Sequence, residues 1–327
     1  MKAIRQYEFG DADTLRYEEV PDPVPGPGHV RIRVAAAGVH LVDASIRQGQ
    51  QLGPNPPPTL PMTPGREVAG TVDQLGSGVD PSWLGRRVVA HLGTVSGGYA
   101  ELAVASVTSL HELPADLTED AAVALIGTGR TAVAILEVAS PTADDVVLVT
   151  AAAGGLGTLL LQAARRAGAV AVGVAGGPSK VDRVRSLGAD VAVDYSTPDW
   201  EAAVRRALGD REVTVCLDGV GGTLGRTAFE LVGLGGRVIL YGWASGSPTD
   251  FTVWDLYSRG LTVSCAIGAR IQQRPGGLRG LEEEALALAA SGAWVPLVGP
   301  PFPLADATGA HRAMESRATV GKTVLVP

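Results

Sequence analysis

Hydrophobic and polar positions change rhythm near the first third of the chain. Before residue 110 the apolar positions come in short runs broken by turn residues. Arg31-Ile32-Arg33-Val34-Ala35-Ala36 alternates polar and apolar side chains, the pattern of a half-buried strand. Val68 to Val72 and Arg87 to Ala90 predict further strands. Pro21 to Gly28 reads as an irregular connector. Gly53 to Pro64, with Pro54, Pro56, Pro57, Pro58, Pro61 and Pro64, can be neither helix nor central strand, because proline has no N–H to donate. The first third therefore predicts an irregular β-barrel with loops.

From Thr118-Glu119-Asp120, which resembles a helix start, the period becomes that of alternating strand and helix. Val146 to Thr150 and Ala169 to Ala175 are short, wholly apolar strands flanking a helix over Leu156 to Ala167. Val213 to Asp218, Arg237 to Tyr241 and Thr262 to Ala266 continue the series, and an amphipathic helix is expected over Leu281 to Ala290. Wholly apolar strands alternating with helices predict a parallel, doubly wound sheet with right-handed crossovers. The final strand, Gly321 to Val326, is expected to rejoin the barrel. The expected boundaries are 1–120 with 267–327 for the barrel domain and 121–266 for an inserted Rossmann domain.

Composition narrows the function. Glycine (43) and proline (22) are abundant in a chain of 327 residues, yet below the roughly 25–30% that marks low complexity. A net charge of −7 argues against a nucleic-acid partner, which would require a basic surface. The N-terminus turns polar at once, so no signal peptide is expected. No apolar stretch reaches the roughly 18 residues of a membrane span, and a cytoplasmic protein is the expectation. The two cysteines, Cys216 and Cys265, lie in apolar runs and are expected to be buried. Only three of the 27 basic residues are lysines: Lys2, Lys180 and Lys322.

The glycine run after the first sheet strand carries the chemistry. Ala152, Gly154 and Gly157 reproduce the G-x-G-x-x-G spacing with alanine first, between a strand and a helix. Small residues let the backbone approach a pyrophosphate, and the helix N-terminus supplies donors. Ala153, Gly154, Gly155, Leu156 and Gly157 are thus candidate dinucleotide-binding residues. An NAD site usually carries an acid at the end of the second strand for the ribose hydroxyl. Residues 170–181 contain none; Gly176-Gly177-Pro178-Ser179-Lys180 stands there instead. An ammonium favours a 2′-phosphate, so the expected cofactor is NADPH.

Further stretches carry a resemblance over nearly the whole chain: Ala36-Ala37-Gly38-Val39 with Asp43 and Arg47-Gln48-Gly49, Pro64-Gly65-Arg66-Glu67-Val68-Ala69-Gly70, and Gly97-Gly98-Tyr99-Ala100-Glu101. Leu187-Gly188-Ala189-Asp190, Asp194-Tyr195, Asp218-Gly219-Val220-Gly221-Gly222 and Glu315 to Lys322 complete it. In these the chain resembles the zinc-independent quinone oxidoreductases of the medium-chain dehydrogenase/reductase superfamily, the group that includes ζ-crystallin. The resemblance implies an α/β protein with a Rossmann domain inserted in a GroES-like barrel domain, paired as a homodimer through the Rossmann sheets. It implies that Lys180, Tyr195 and Arg317 surround the 2′-phosphate, that Thr128 lies by the nicotinamide, and that Tyr241, Gly242, Ala266 and Ile267 hold the ribose and carboxamide.

Zinc-binding relatives carry Gly-His-Glu where this chain has Gly65-Arg66-Glu67, and a cation cannot ligate a cation. His40 aligns with the usual first ligand and 125–127 offers none, so no metal is expected. His40 is instead a candidate donor of a hydrogen bond or proton. Asp43 and Arg47 complete the candidate catalytic set, with contacts that shape the loop. His29, His91, His111 and His311 read as surface or packing residues. The expected reaction is hydride transfer to a quinone or an activated C=C of an enone. Two rivals remain: an enoyl-thioester reductase of a biosynthetic pathway, and an NADPH-binding protein without turnover.

Overall fold

The computed structural model describes residues 1–51, 56–93 and 96–327, so Gly53, Pro54 and Asn55 of the proline-rich stretch lie outside the described residues. The chain forms two compact units, Met1–Gly127 with Leu286–Pro327, and Thr128–Ala285. The helix Glu119–Ile126 belongs to the first unit, where it packs on four strands of that unit's sheet.

The first unit is built on a seven-stranded sheet. The strands Phe302–Pro303, Thr323–Val326, His29–Val39, Glu67–Leu75, Arg87–His91 and Leu110–Glu112 lie side by side in that order, and Leu102–Ser106 also pairs with His29–Val39. Alternation in the sequence becomes alternation of faces. Val30, Ile32 and Val34 point into a core shared with Val68, Val72, Val88, Leu110 and Leu325. Each such side chain contributes roughly 1.5–3 kcal/mol by leaving water. Register shifts between His29–Val39 and Glu67–Leu75 give the irregularity expected from sequence. Gly70 permits the close approach there: a Cβ at that position would run into the Arg33 carbonyl. The C-terminal strand pairs antiparallel with residues 37–39, as expected for a chain that returns to its first domain.

The second unit has a six-stranded, wholly parallel sheet. Its order is Val191–Asp194, Val170–Ala175, Val146–Val149, Val213–Asp218, Val232–Leu240 and Thr262–Cys265. In sequence order this reads 3-2-1-4-5-6, and the direction of winding reverses between Val146–Val149 and Val213–Asp218. Open α/β sheets bind ligands outside the carboxyl ends of their strands at that reversal. Val146–Val149 is buried along its length, which is why its sequence shows no alternation.

Two expectations needed correction. The strand expected over 237–241 starts at Val232 and loses register around residues 233–236, where Gly235 takes φ +71°. Cys216 is buried as expected, but Cys265 is exposed. It lies on the edge strand of the sheet, which has a strand neighbour on one side only.

Candidate active site

In the parallel-sheet unit, the chain leaves Val146–Val149, turns through Ala151 at φ +48°, and enters the helix Gly155–Arg166. Gly154 caps that helix, and its first turn holds no acidic side chain. A Cβ at Gly157 would lie 2.5 Å from the Ala151 carbonyl oxygen and 2.8 Å from the Ala152 Cα. Only glycine lets the helix sit this tightly on the turn, with its free N–H groups open to an anion. The turn fits a dinucleotide pyrophosphate.

The neighbouring loops are fastened to each other. Asp218, at the end of Val213–Asp218, is buried and accepts from the Thr150 hydroxyl at 2.8 Å and the Val220 N–H at 2.9 Å. Its other oxygen accepts from the Thr249 hydroxyl at 2.5 Å. Tyr241 packs its ring on Gly219, and its N–H donates to the Asp218 carbonyl at 2.9 Å. Burial first, then Asp218 and Cys216, push the Tyr241 phenol up, so it stays neutral.

At the end of Val170–Ala175 the Tyr195 ring lies over Gly176; a Cβ there would meet its hydroxyl at 3.0 Å. Lys180 stands in the first turn of the following helix, Pro178–Ser186. The nearby acid, Asp194, is engaged: its Oδ1 accepts from the Gly177 N–H at 2.9 Å and from Ser196. These hydrogen bonds, Ser196's foremost, hold its carboxyl below its usual range.

Ala153 to Gly157, Lys180, Tyr195, Tyr241, Gly242 and Ile267 therefore all follow carboxyl ends of strands in one sheet. Thr128 opens the helix Thr128–Ala139 of the same unit. Arg317 belongs to the first unit, where it holds φ +58°, uncommon for a residue with a side chain.

The barrel unit holds His40, Asp43 and Arg47 at the end of His29–Val39 and on the helix Leu41–Arg47. His40 donates its backbone N–H to Asp43 Oδ2 at 2.8 Å, which starts that helix. Asp43 Oδ2 also accepts from the Tyr99 hydroxyl at 3.1 Å, and Arg66 Nε lies 3.4 Å from Oδ1. Arg47, 1% exposed, donates to the Gly10 carbonyl at 3.0 Å and holds Glu315 with two nitrogens, at 3.1 and 2.7 Å. His311 lies 3.0 Å from Arg47 and 3.2 Å from the Tyr99 hydroxyl. Burial first, then Asp43, push the Tyr99 phenol well up, so it stays a donor.

The sequence reading attached no role to Lys322 or Glu67, yet both are buried beside His40. Lys322 Nζ lies 2.6 Å from His40 Nε2 and 2.7 Å from Glu67 Oε2, and His40 Nε2 lies 2.5 Å from Glu67 Oε1. Burial pushes the Lys322 amine down against the pull of Glu67. Burial also works to raise Glu67, but the facing His40 and Lys322 outweigh it and hold the carboxyl well below its usual range. The rarity of lysine, with its place in Gly321-Lys322, was the available signal. A zinc ion does not fit here. The Lys322 amine lies against both the imidazole and the carboxylate, which also touch each other, and no group of three His, Cys, Asp or Glu side chains suited to a metal occurs among the described residues.

Family models match both units: an alcohol dehydrogenase GroES-like domain over residues 26–115, and a zinc-binding dehydrogenase over residues 155–283. A quinone oxidoreductase of Sus scrofa is 31% identical over 334 residues, covering 100% of this chain and 98% of its own. A 2-haloacrylate reductase of Burkholderia sp is 31% identical over 334 residues, covering 98% and 97%. The crystal structure of Escherichia coli quinone oxidoreductase complexed with NADPH matches with a TM-score of 0.88 at 28% identity, covering 100% of both chains.

Proposed function

The chain belongs to the medium-chain dehydrogenase/reductase superfamily, in its quinone oxidoreductase group, and from that membership we propose that it reduces a quinone or an α,β-unsaturated carbonyl with NADPH and without zinc. Two observations support the reading: an acid-free glycine cradle in one unit and, in the other, a barrel site in which the Lys322 amine contacts both His40 and Glu67. A reductase that uses a nicotinamide needs no Lewis acid, because the reduced cofactor supplies the hydride.

The residues divide the work. Ala153 to Gly157 cradle the pyrophosphate, while Lys180, Tyr195 and Arg317 recognise the 2′-phosphate. Thr128, Tyr241, Gly242 and Ile267 position the nicotinamide and its ribose. His40 donates the proton that the reduced acceptor requires. Asp43 and Arg47 act through the loop, Asp43 by holding the His40 backbone and Arg47 by locking the helix to Glu315. Geometry of this kind contributes to the rate by fixing reacting groups in place.

The protein acts in the cytoplasm as a homodimer. The exposed Val253, Trp254 and Tyr257 lie on the helix Val253–Arg259, just before the edge strand Thr262–Cys265, and a second copy would cover this apolar surface. No single helix among the described residues is long and apolar enough to cross a membrane.

The test is consumption of NADPH, followed by absorbance, with a panel of quinones and enones. Turnover that survives a chelator and prefers NADPH to NADH is expected. Tight NADPH binding with no turnover on any acceptor would support the non-catalytic rival instead.

A further inference from the structure

His40, Glu67 and Lys322 close a triangle in which every pair is within hydrogen-bond distance. One ring nitrogen cannot both accept from an ammonium and donate to a carboxylate. The hydrogen between His40 Nε2 and Lys322 Nζ therefore has two seats. In either seat the positive charge faces Glu67, whose two oxygens lie 2.5 Å from Nε2 and 2.7 Å from Nζ. A proton can change seats while the heavy atoms stay in place.

The surrounding backbone is shaped to let the three groups meet. A Cβ at Gly38 would strike Glu67 Oε2 and come within 3.0 Å of Lys322 Cε. A Cβ at Gly127 would strike Glu67 Oε1 and lie 3.4 Å from His40 Nε2. The Lys322 and Glu67 side chains are 4% and 0% exposed, whereas that of His40 is 24% exposed. His40 is the outlet of the cluster. The other charged or titratable groups facing it are Asp43 on the helix Leu41–Arg47, Arg66 beside Glu67, His91 at the end of Arg87–His91, and Tyr99. Asp43 and Arg66 face each other and largely offset their charges.

We propose that Lys322 and Glu67 are positioning residues that hold one transferable proton for His40 and renew it as a donor in each turnover. This rests on the reading of His40 as the proton donor. When hydride forms the new C–H bond at the β-carbon of an enone, the C=C electron pair moves toward the carbonyl oxygen. His40 gives one ring proton to the resulting enolate. Its Nε2 takes a proton from Lys322, whose N–H bond breaks and leaves a neutral amine against Glu67. A water proton entering through His40 returns the cluster to its starting state. Overall, one hydride and one proton are added to the acceptor. Burial favours the exchange, because it weakens the hold of Lys322 on its third proton.

Two variants separate charge from proton. Lys322→Arg keeps the cation but cannot surrender a proton at ordinary pH. Lys322→Met removes both with similar volume. Both should bind NADPH within about twofold of the wild type, since neither change touches the cradle. Both should lose about 100-fold in kcat at pH 8, a typical share for general acid catalysis. The deficit should shrink as pH falls and solvent protonates His40 directly. Wild-type kcat in Lys322→Arg across the pH range would overturn the proposal. A second readout needs no acceptor: by 15N NMR, His40 Nε2 and Lys322 Nζ should respond over one shared pH range in the wild type. Separate ranges would overturn the proposal too. Absence of turnover by the wild type would sink the reductase reading, and the NMR titration would still decide the cluster.

Discussion

Acidification should destabilise the barrel unit through one side chain, His311. It is 0% exposed, lies 3.0 Å from Arg47 and 3.2 Å from the Tyr99 hydroxyl, and is pulled from 6.5 down to about 4, first by burial and also by the Arg47 charge. Asp43 and Glu315 oppose that pull without reversing it. The unfolded chain takes up a proton at His311 below pH 6.5 and the folded chain does so only near 4, so stability falls as pH drops through that window. From the two values the loss is about 1 kcal/mol at pH 5.5 and about 2–3 kcal/mol at pH 4.5, relative to pH 7.5. The first figure corresponds to roughly 2–4 °C in melting temperature for a unit of this size. His311→Gln keeps a polar side chain and removes the titration. Thermal unfolding followed from pH 7.5 to 5 should show a drop in the wild type that the variant largely lacks. The window above pH 5 is the informative one, since carboxylates add their own losses below it. Parallel curves for the two proteins would refute the reasoning.

Other outcomes follow from the cofactor cradle. Lys180→Ala should weaken NADPH binding by about 10–100-fold, the worth of charge-assisted hydrogen bonds of ~1.5–3 kcal/mol. NADH binding should stay unchanged, and fluorescence titration with both cofactors would settle it. Gly157→Ala puts a methyl against the Ala151 carbonyl and the Ala152 Cα, neither of which is the flexible end of a side chain. It should cost ~1–3 kcal/mol of overpacking, with NADPH affinity and melting temperature falling together.

The cofactor half was legible because its determinants are local. A strand of apolar residues, a turn that admits only small residues, and a helix start follow one another between residues 146 and 166. The absence of an acid after Val170–Ala175 could likewise be read along the chain, and the structure adds that the nearby Asp194 is engaged by Gly177 and Ser196. The irregular barrel and its returning C-terminal strand were readable from alternation and from apolar character at the end of the chain.

What the sequence could not determine was the charge chemistry of the barrel unit. Arg47 and Glu315 are 268 residues apart, and Lys322 is 255 residues from Glu67. No period or spacing encodes such pairings, because they arise only when the helix Ala307–Glu315 packs on Leu41–Arg47 and the last strand docks beside His29–Val39. Docking removes water from Lys322, Glu67 and His311, and desolvation makes charges that solvent would otherwise screen depend on one another. The sequence by itself determined the two folds and the glycine run between strand and helix, and it is the source of the proposal that Lys180 meets a phosphate. Tertiary structure alone decided that the Lys322 amine joins His40 and Glu67 in one buried cluster, because burial and proximity are properties of the folded chain.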